Sequence, residues 1–102
     1  MSLAIIETRK FSTHVVLCIA TEIIPDAKLM PEIYSLLEFL TGGPVSTSQL
    51  SQAMHEANRF LTHRNPRLLL DWEKSPRDPE SVQRWFRARL ADEGEQFPVI
   101  RH

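Results

Sequence analysis

Cysteine is almost absent: Cys18 is the one in 102 residues. No disulfide can form within the chain, so its stability has to come from a packed core. A lone cysteine fits a small buried apolar residue in a reducing cytoplasm. Long apolar runs are missing too. A membrane-spanning helix needs about 20 such residues, and the most apolar stretch, residues 15–24, is interrupted by Thr21 and Glu22. The start of the chain lacks the basic-then-apolar order of a secretion signal, because Arg9 and Lys10 follow the apolar residues 3–6. Neither sign of charge is in surplus. Twelve Lys and Arg stand against 13 Asp and Glu, for a net charge of -1. A dedicated nucleic-acid binder usually has a basic excess, so this balance argues against one. It gives no support to membrane attachment through bulk charge either. Glycine is scarce, and the pair Gly42-Gly43 lacks the lysine and the further glycines of a phosphate-binding loop. It reads as a turn between helices.

What remains is ordinary globular material, 42% hydrophobic and 25% charged. The length suits one domain, residues 1–102, with one modest core. No repeat, low-complexity tract or linker divides it. Residues 3–6 are short, apolar and partly β-branched, which predicts an edge strand or an extended arm. Ser12 or Thr13 is placed to cap a helix, with Phe11 as its hydrophobic staple. Val15, Val16, Ile19, Ala20 and Ile23 then recur at helical spacing, up to a stop at Pro25. A second helix opens near Pro31, carries Ile33, Leu36, Leu37 and Leu40, and ends at Gly42-Gly43-Pro44. The third follows caps at Ser46, Thr47 or Ser48 and buries Leu50, Ala53, Met54, Ala57, Phe60 and Leu61. Asn65-Pro66 closes it, and residues 68–72 are apolar but too short to assign. Asp78-Pro79-Glu80 is a strong start for a fourth helix, with Val82, Trp85, Phe86, Arg89 and Leu90 on one face and Gly94 at its end. Residues 97–100 form a short extended tail, placed to pair with the amino-terminal arm. The expectation is a mainly α, compact four-helix domain with a short two-stranded pairing of the terminal arms.

Reactive constellations are hard to find. His14 and Cys18 have the spacing of two zinc ligands, but no second pair follows to complete four. His55-Glu56 superficially resembles the start of a metalloprotease helix, but Arg59 occupies the place of the second histidine. His63 is eight residues beyond His55, about 12 Å along a helix at 1.5 Å per residue, too far to share one ion. Nothing groups a serine or cysteine with a histidine and a carboxylate. No catalytic residue, metal or cofactor is therefore expected.

Two surfaces invite a binding reading. The second and third helices could form a helix-turn-helix, with Gln52, His55 and Arg59 towards base edges and Arg64 and Arg67 towards phosphates. Glu56 on the same face and the length of the turn oppose this. The fourth helix is the most cationic element, with Arg84, Arg87 and Arg89, and Arg77 just before it. A solvated, partly ion-paired face is its default. The sharper reading is a docking face for an acidic partner, with Trp72 or an exposed Trp85 marking the interface.

Several short motifs also occur in a telling order: Lys10-Phe11-Ser12, the Thr21 region, Tyr34 with Leu37-Glu38-Phe39-Leu40-Thr41-Gly42, Thr47 with Leu50, and Asn65-Pro66-Arg67-Leu68. Trp85, Gly94-Glu95 and Pro98 continue it. Across residues 10–100 this order resembles a family of small uncharacterised phage and prophage proteins. Thr21-Glu22 stands where that family often has Thr-Gly. The resemblance implies no catalytic residues. It implies a viral or prophage origin and a setting in the host-cell cytoplasm. The functional expectation is a non-enzymatic protein that binds a host protein, as an inhibitor of a host defence or regulatory complex. The alternative is a helix-turn-helix DNA-binding regulator. Self-association into a homodimer suits a helical chain this small.

Overall fold

Seven of the nine residues of the first helix are buried, and the other elements are arranged around it. The computed structural model describes residues 7–101. Helix α1 (Thr13–Thr21) runs through the centre, and Val15, Val16, Leu17, Cys18 and Ile19 are each 0% exposed. A helix that is apolar all round must be covered on every side. Helices α2 (Met30–Thr41), α3 (Leu50–Arg64) and α4 (Pro79–Glu93) all pack on it. Strands β1 (Glu7–Ser12) and β2 (Gln96–Arg101) close the remaining side as an antiparallel pair. Among the described residues, the architecture is the expected four helices with the two terminal segments paired.

The details depart from expectation in instructive ways. The amino-terminal strand was expected at residues 3–6, which lie outside the described residues; the strand observed is Glu7–Ser12. Phe11 therefore does not staple a cap. It sits in β1 opposite Phe97, with its ring 5.6 Å from that of Phe39. Ser12 stands at the start of α1 but makes no side-chain cap bond. The sheet supplies the bond instead, since the N–H of Thr13 donates to Glu95 O at 2.9 Å. Among the described residues the hydroxyl of Thr13 is buried with no partner. Thr13→Val keeps the shape and removes an unsatisfied polar atom, so it is expected to gain about 1 kcal/mol in urea unfolding.

Helix α1 stops at Thr21, before the expected Ile23, and Pro25 is not what stops it. Glu22 turns into the left-handed region at φ 58° and ends the helix. The carbonyls freed there are claimed from α3: Asn58 Nδ2 donates to Ile19 O at 3.1 Å and to Ala20 O at 2.6 Å. Glutamate is strained at a position that favours glycine. Glu22→Gly is expected to raise stability by roughly 0.5–1 kcal/mol, read as a higher urea midpoint at constant slope.

Helix α2 ends as expected at Gly42, with φ 81°. Residues 43–46 lead into a 3-10 turn, Thr47–Gln49, where Gln49 Oε1 accepts from the N–H of Ser46 at 3.1 Å. The unassigned stretch after α3 begins as a second such turn, Pro66–Leu69, which buries Leu68. At α4, Asp78 Oδ2 accepts from the N–H of Ser81 at 3.0 Å, as its sequence position predicted. The hydroxyl and N–H of Ser81 hold the Asp78 carboxyl below its ordinary value.

Candidate functional site: the solvent face of helix α4

Helical period splits α4 into two faces. Val82, Trp85, Phe86 and Arg89 turn inward, while Gln83, Arg84, Arg87, Ala88 and Ala91 face solvent. Inside, Trp85 packs 4.7 Å from Trp72 and 5.5 Å from Phe86 between ring centroids. Its indole Nε1–H donates to Leu70 O at 2.8 Å, the bond a buried indole needs. The guanidinium of Arg77 lies 3.8 Å from the centre of the Trp72 ring and donates to Trp72 O, and to Ser75 O at 2.8 Å. Arg77 is thus a roof over an aromatic cluster.

These contacts sort the five residues expected to bind a partner, Trp72, Arg77, Arg84, Arg87 and Arg89, and with them Trp85. Trp72 and Trp85 are each 7% exposed, so both belong to the core and no exposed tryptophan patch exists. Arg89, at 8%, lies on the buried face with its head paired to the Asp92 carboxylate. Arg77 is committed to Trp72. Arg84 and Arg87, one turn apart, remain exposed on the ridge of α4.

The ridge separates two clefts. One, of about 350 Å³, has Trp85, Ala88 and Pro76 as its apolar lining and Arg84, Lys74 and Asp71 as its charged groups. The other, of about 280 Å³, is floored by Val82, Phe86 and Leu90 and rimmed by His14, Arg87 and Asp26. His14 meets the Phe86 ring edge-on at 5.4 Å. Leu70 is 51% exposed and precedes Asp71, which lines the first cleft. Sequence reasoning missed Leu70 because a Leu-Leu-Leu run looks uniformly apolar. It also missed the clefts, which form only where α4 meets residues 71–76 and the α1–α2 connection. The small outward residues Ala88 and Ala91 were the available signal that something could approach this helix closely.

The alternative face on α3 is differently arranged. Gln52 bonds Glu56 at 3.3 Å, and His55 lies 3.6 Å from the Glu22 carboxylate. Arg64 stacks over Phe60 at 4.7 Å, and Arg67 pairs with Glu93 at 2.9 Å. Arg59 is exposed beside His63. Most of the groups expected on phosphates or bases are held by carboxylates or aromatic rings of the chain itself. The connection from α2 to α3 also exceeds the 3–4 residues of a usual helix-turn-helix.

Chemical reactivity is low at the lone thiol. Cys18 is sealed in α1, and burial pushes it from 9.0 up to about 12. A thiol that stays protonated is neither a nucleophile nor a metal ligand. The unfolded chain loses this proton near the ordinary value and the folded chain does not. Stability from this group is therefore complete below about pH 9 and is lost as pH rises towards 12, by up to roughly 1.4 kcal/mol per pH unit. Thiol-reactive probes at pH 8 are expected to label the native chain only at its rate of opening, and to label it freely in denaturant. Among the described residues, no three His, Cys, Asp or Glu side chains come together in a way that could hold a metal ion, and no helix is long and apolar enough to cross a membrane. Comparisons with protein-family models, curated proteins and solved structures found no match to this chain.

Proposed function

We propose that this chain is a non-catalytic binding module that docks a partner protein on the solvent face of α4. The observation that carries the reading is the position of Arg84 and Arg87 on a ridge between two apolar-floored clefts. Clefts of this kind take apolar anchors, and an exposed guanidinium between them takes a carboxylate. The fitting partner is a segment with acidic residues between apolar ones. Ala88 lets its backbone come close. Asp26 and Asp71 at the far rims disfavour a uniformly acidic partner and help to set register. The resemblance to phage and prophage proteins makes the partner a host protein, met in the host cytoplasm and blocked by occupancy. A defence or regulatory complex is the target that such a blocker would have.

The test compares the full chain with a double variant, Arg84→Glu and Arg87→Glu, immobilised and exposed to bacterial host lysate. The wild-type chain is expected to retain a stoichiometric partner that elutes with salt, and the double variant to lose it at least tenfold. Arg59→Glu on α3 serves as a control and should retain it. Failure to recover any stoichiometric partner overturns the reading, as does equal retention by the double variant. Retention of the chain on duplex DNA at low salt, abolished by Arg59→Glu, would replace it with the helix-turn-helix alternative.

A further inference from the structure

Among the described residues the sheet has two strands, and its two outer edges differ. Antiparallel pairs alternate between those that exchange hydrogen bonds and those that do not. The bond from Thr13 N to Glu95 O fixes the phase. Phe11 with Phe97, Arg9 with Val99 and Glu7 with Arg101 are then the bonded pairs. Lys10 with Pro98 and Thr8 with Ile100 are the non-bonded pairs, so their backbone N–H and C=O groups point outward. On the β2 edge the central outward position is Pro98, which has no N–H to offer. On the β1 edge, Thr8 and Lys10 present complete donor–acceptor sets, and residues 7–10 are all exposed.

We infer that the β1 edge pairs with the β1 edge of a second copy of this chain, which makes a four-stranded intermolecular sheet. The occupant follows from charge. Outward groups must face outward groups, which leaves only alternate registers between two antiparallel β1 strands. Four such registers centre on the exposed residues 7–10, and three of them place like charges opposite each other: Arg9 against Arg9, Lys10 against Lys10, or Glu7 against Glu7. The remaining one centres on Thr8 against Thr8 and sets Glu7 opposite the second copy's Arg9, twice by symmetry. Glu7 already bonds Arg101 of its own chain at 2.6 Å, so each carboxylate would lie between two guanidiniums. On the outer face, the same register aligns Ile100, Thr8, the second copy's Thr8 and its Ile100 in one β-branched row. Ile100 is 41% exposed in the single chain. Both outer edges of the four-stranded sheet are then β2 edges carrying Pro98, so assembly stops at a closed two-fold dimer.

Sedimentation equilibrium on the full chain tests this, from about 10 μM to about 1 mM, the range suited to a small interface. The wild-type average mass is expected to rise towards twice that of the chain. Thr8→Pro removes the central outward N–H while sparing every bond to β2, and is expected to stay at the mass of one chain with unchanged far-ultraviolet dichroism. Glu7→Arg alone and Arg9→Glu alone should also stay monomeric. Their equimolar mixture should dimerise like the wild type. The arginine introduced in one variant then faces the glutamate introduced in the other, and the first variant's native Arg9 faces the second variant's native Glu7. A wild type that remains monomeric across the range overturns the inference. So does a dimer that survives Thr8→Pro, or a mixture no heavier than its components. If Thr8→Pro unfolds the chain, the mixture decides.

Discussion

Trp85→Ala is expected to cost about 3–5 kcal/mol of folding stability, measured by urea unfolding followed through Trp72 fluorescence and by dichroism. Small domains have roughly 5–15 kcal/mol in total, so this one truncation removes much of it. Three losses coincide at this position. The ring contacts with Trp72 at 4.7 Å and Phe86 at 5.5 Å disappear. Leu70 O loses the indole donor it holds at 2.8 Å. Trp72, already roofed by Arg77, loses its support from below. Trp85→Phe separates these effects. It keeps a ring in the cluster and gives up the N–H, so it should cost only about 1–3 kcal/mol. The order alanine worse than phenylalanine worse than wild type is the checkable result. Equal costs would mean that the indole bond to Leu70 O alone holds residues 70–72 against α4.

The same cluster matters for the proposed docking face. Trp85 lines one cleft and Phe86 floors the other, so the ridge that presents Arg84 and Arg87 stands on aromatic packing. Trp85→Phe, which stays folded, should weaken partner capture less than reversal of the two arginines. That contrast distinguishes a support from a contact.

Much of the fold could be read from the sequence because its signals are local. Asp78-Pro79-Glu80 opens α4, and Gly42 in a left-handed conformation ends α2, where the sequence placed them. The apolar periodicity of α1 and α3 identified their buried faces, including Ala53, Met54, Ala57 and Leu61. Features decided by partners distant in the chain were harder to read. The end of α1 is set by Glu22 and by Asn58, which reaches across from α3, and no local rule points to that bond. By contrast, the inward face of Arg89 was legible from its spacing with Val82, Trp85 and Phe86, and its partner Asp92 is local, three residues on. The two tryptophans could have been anchors for a partner or anchors for the core. The choice fell to the core once residues 66–72 folded over α4 and gave the Trp85 indole a carbonyl to bond. The cleft floored by Phe86 joins His14 and the α1–α2 connection to α4, so no sequence window contains it. The cleft beside Trp85, although within residues 71–88, exists only once residues 71–76 turn back against α4.

Leu17→Ala is expected to cost about 2–5 kcal/mol, whereas Leu70→Ala should stay within about 0.5 kcal/mol of wild type. Both replace the same side chain, and the difference is enclosure. Leu17 is 0% exposed in the middle of α1, with helices and the sheet closed around that element. Shrinking it leaves a void that the neighbours cannot fill without moving together, and the cost of such a void grows with its residual volume. Leu70 is 51% exposed, so its truncation opens no void. The two variants therefore distinguish stability from recognition in one experiment. Leu17→Ala should lower the urea midpoint and leave partner capture unchanged at concentrations where the chain is folded. Leu70→Ala should leave the midpoint unchanged and, because it removes an exposed apolar side chain next in the chain to the cleft residue Asp71, reduce capture. A large loss of stability in Leu70→Ala would mean that residues 70–72 hold the α4 face together rather than border it. The docking surface would then have to be sought along Arg87 and the cleft floored by Phe86 alone.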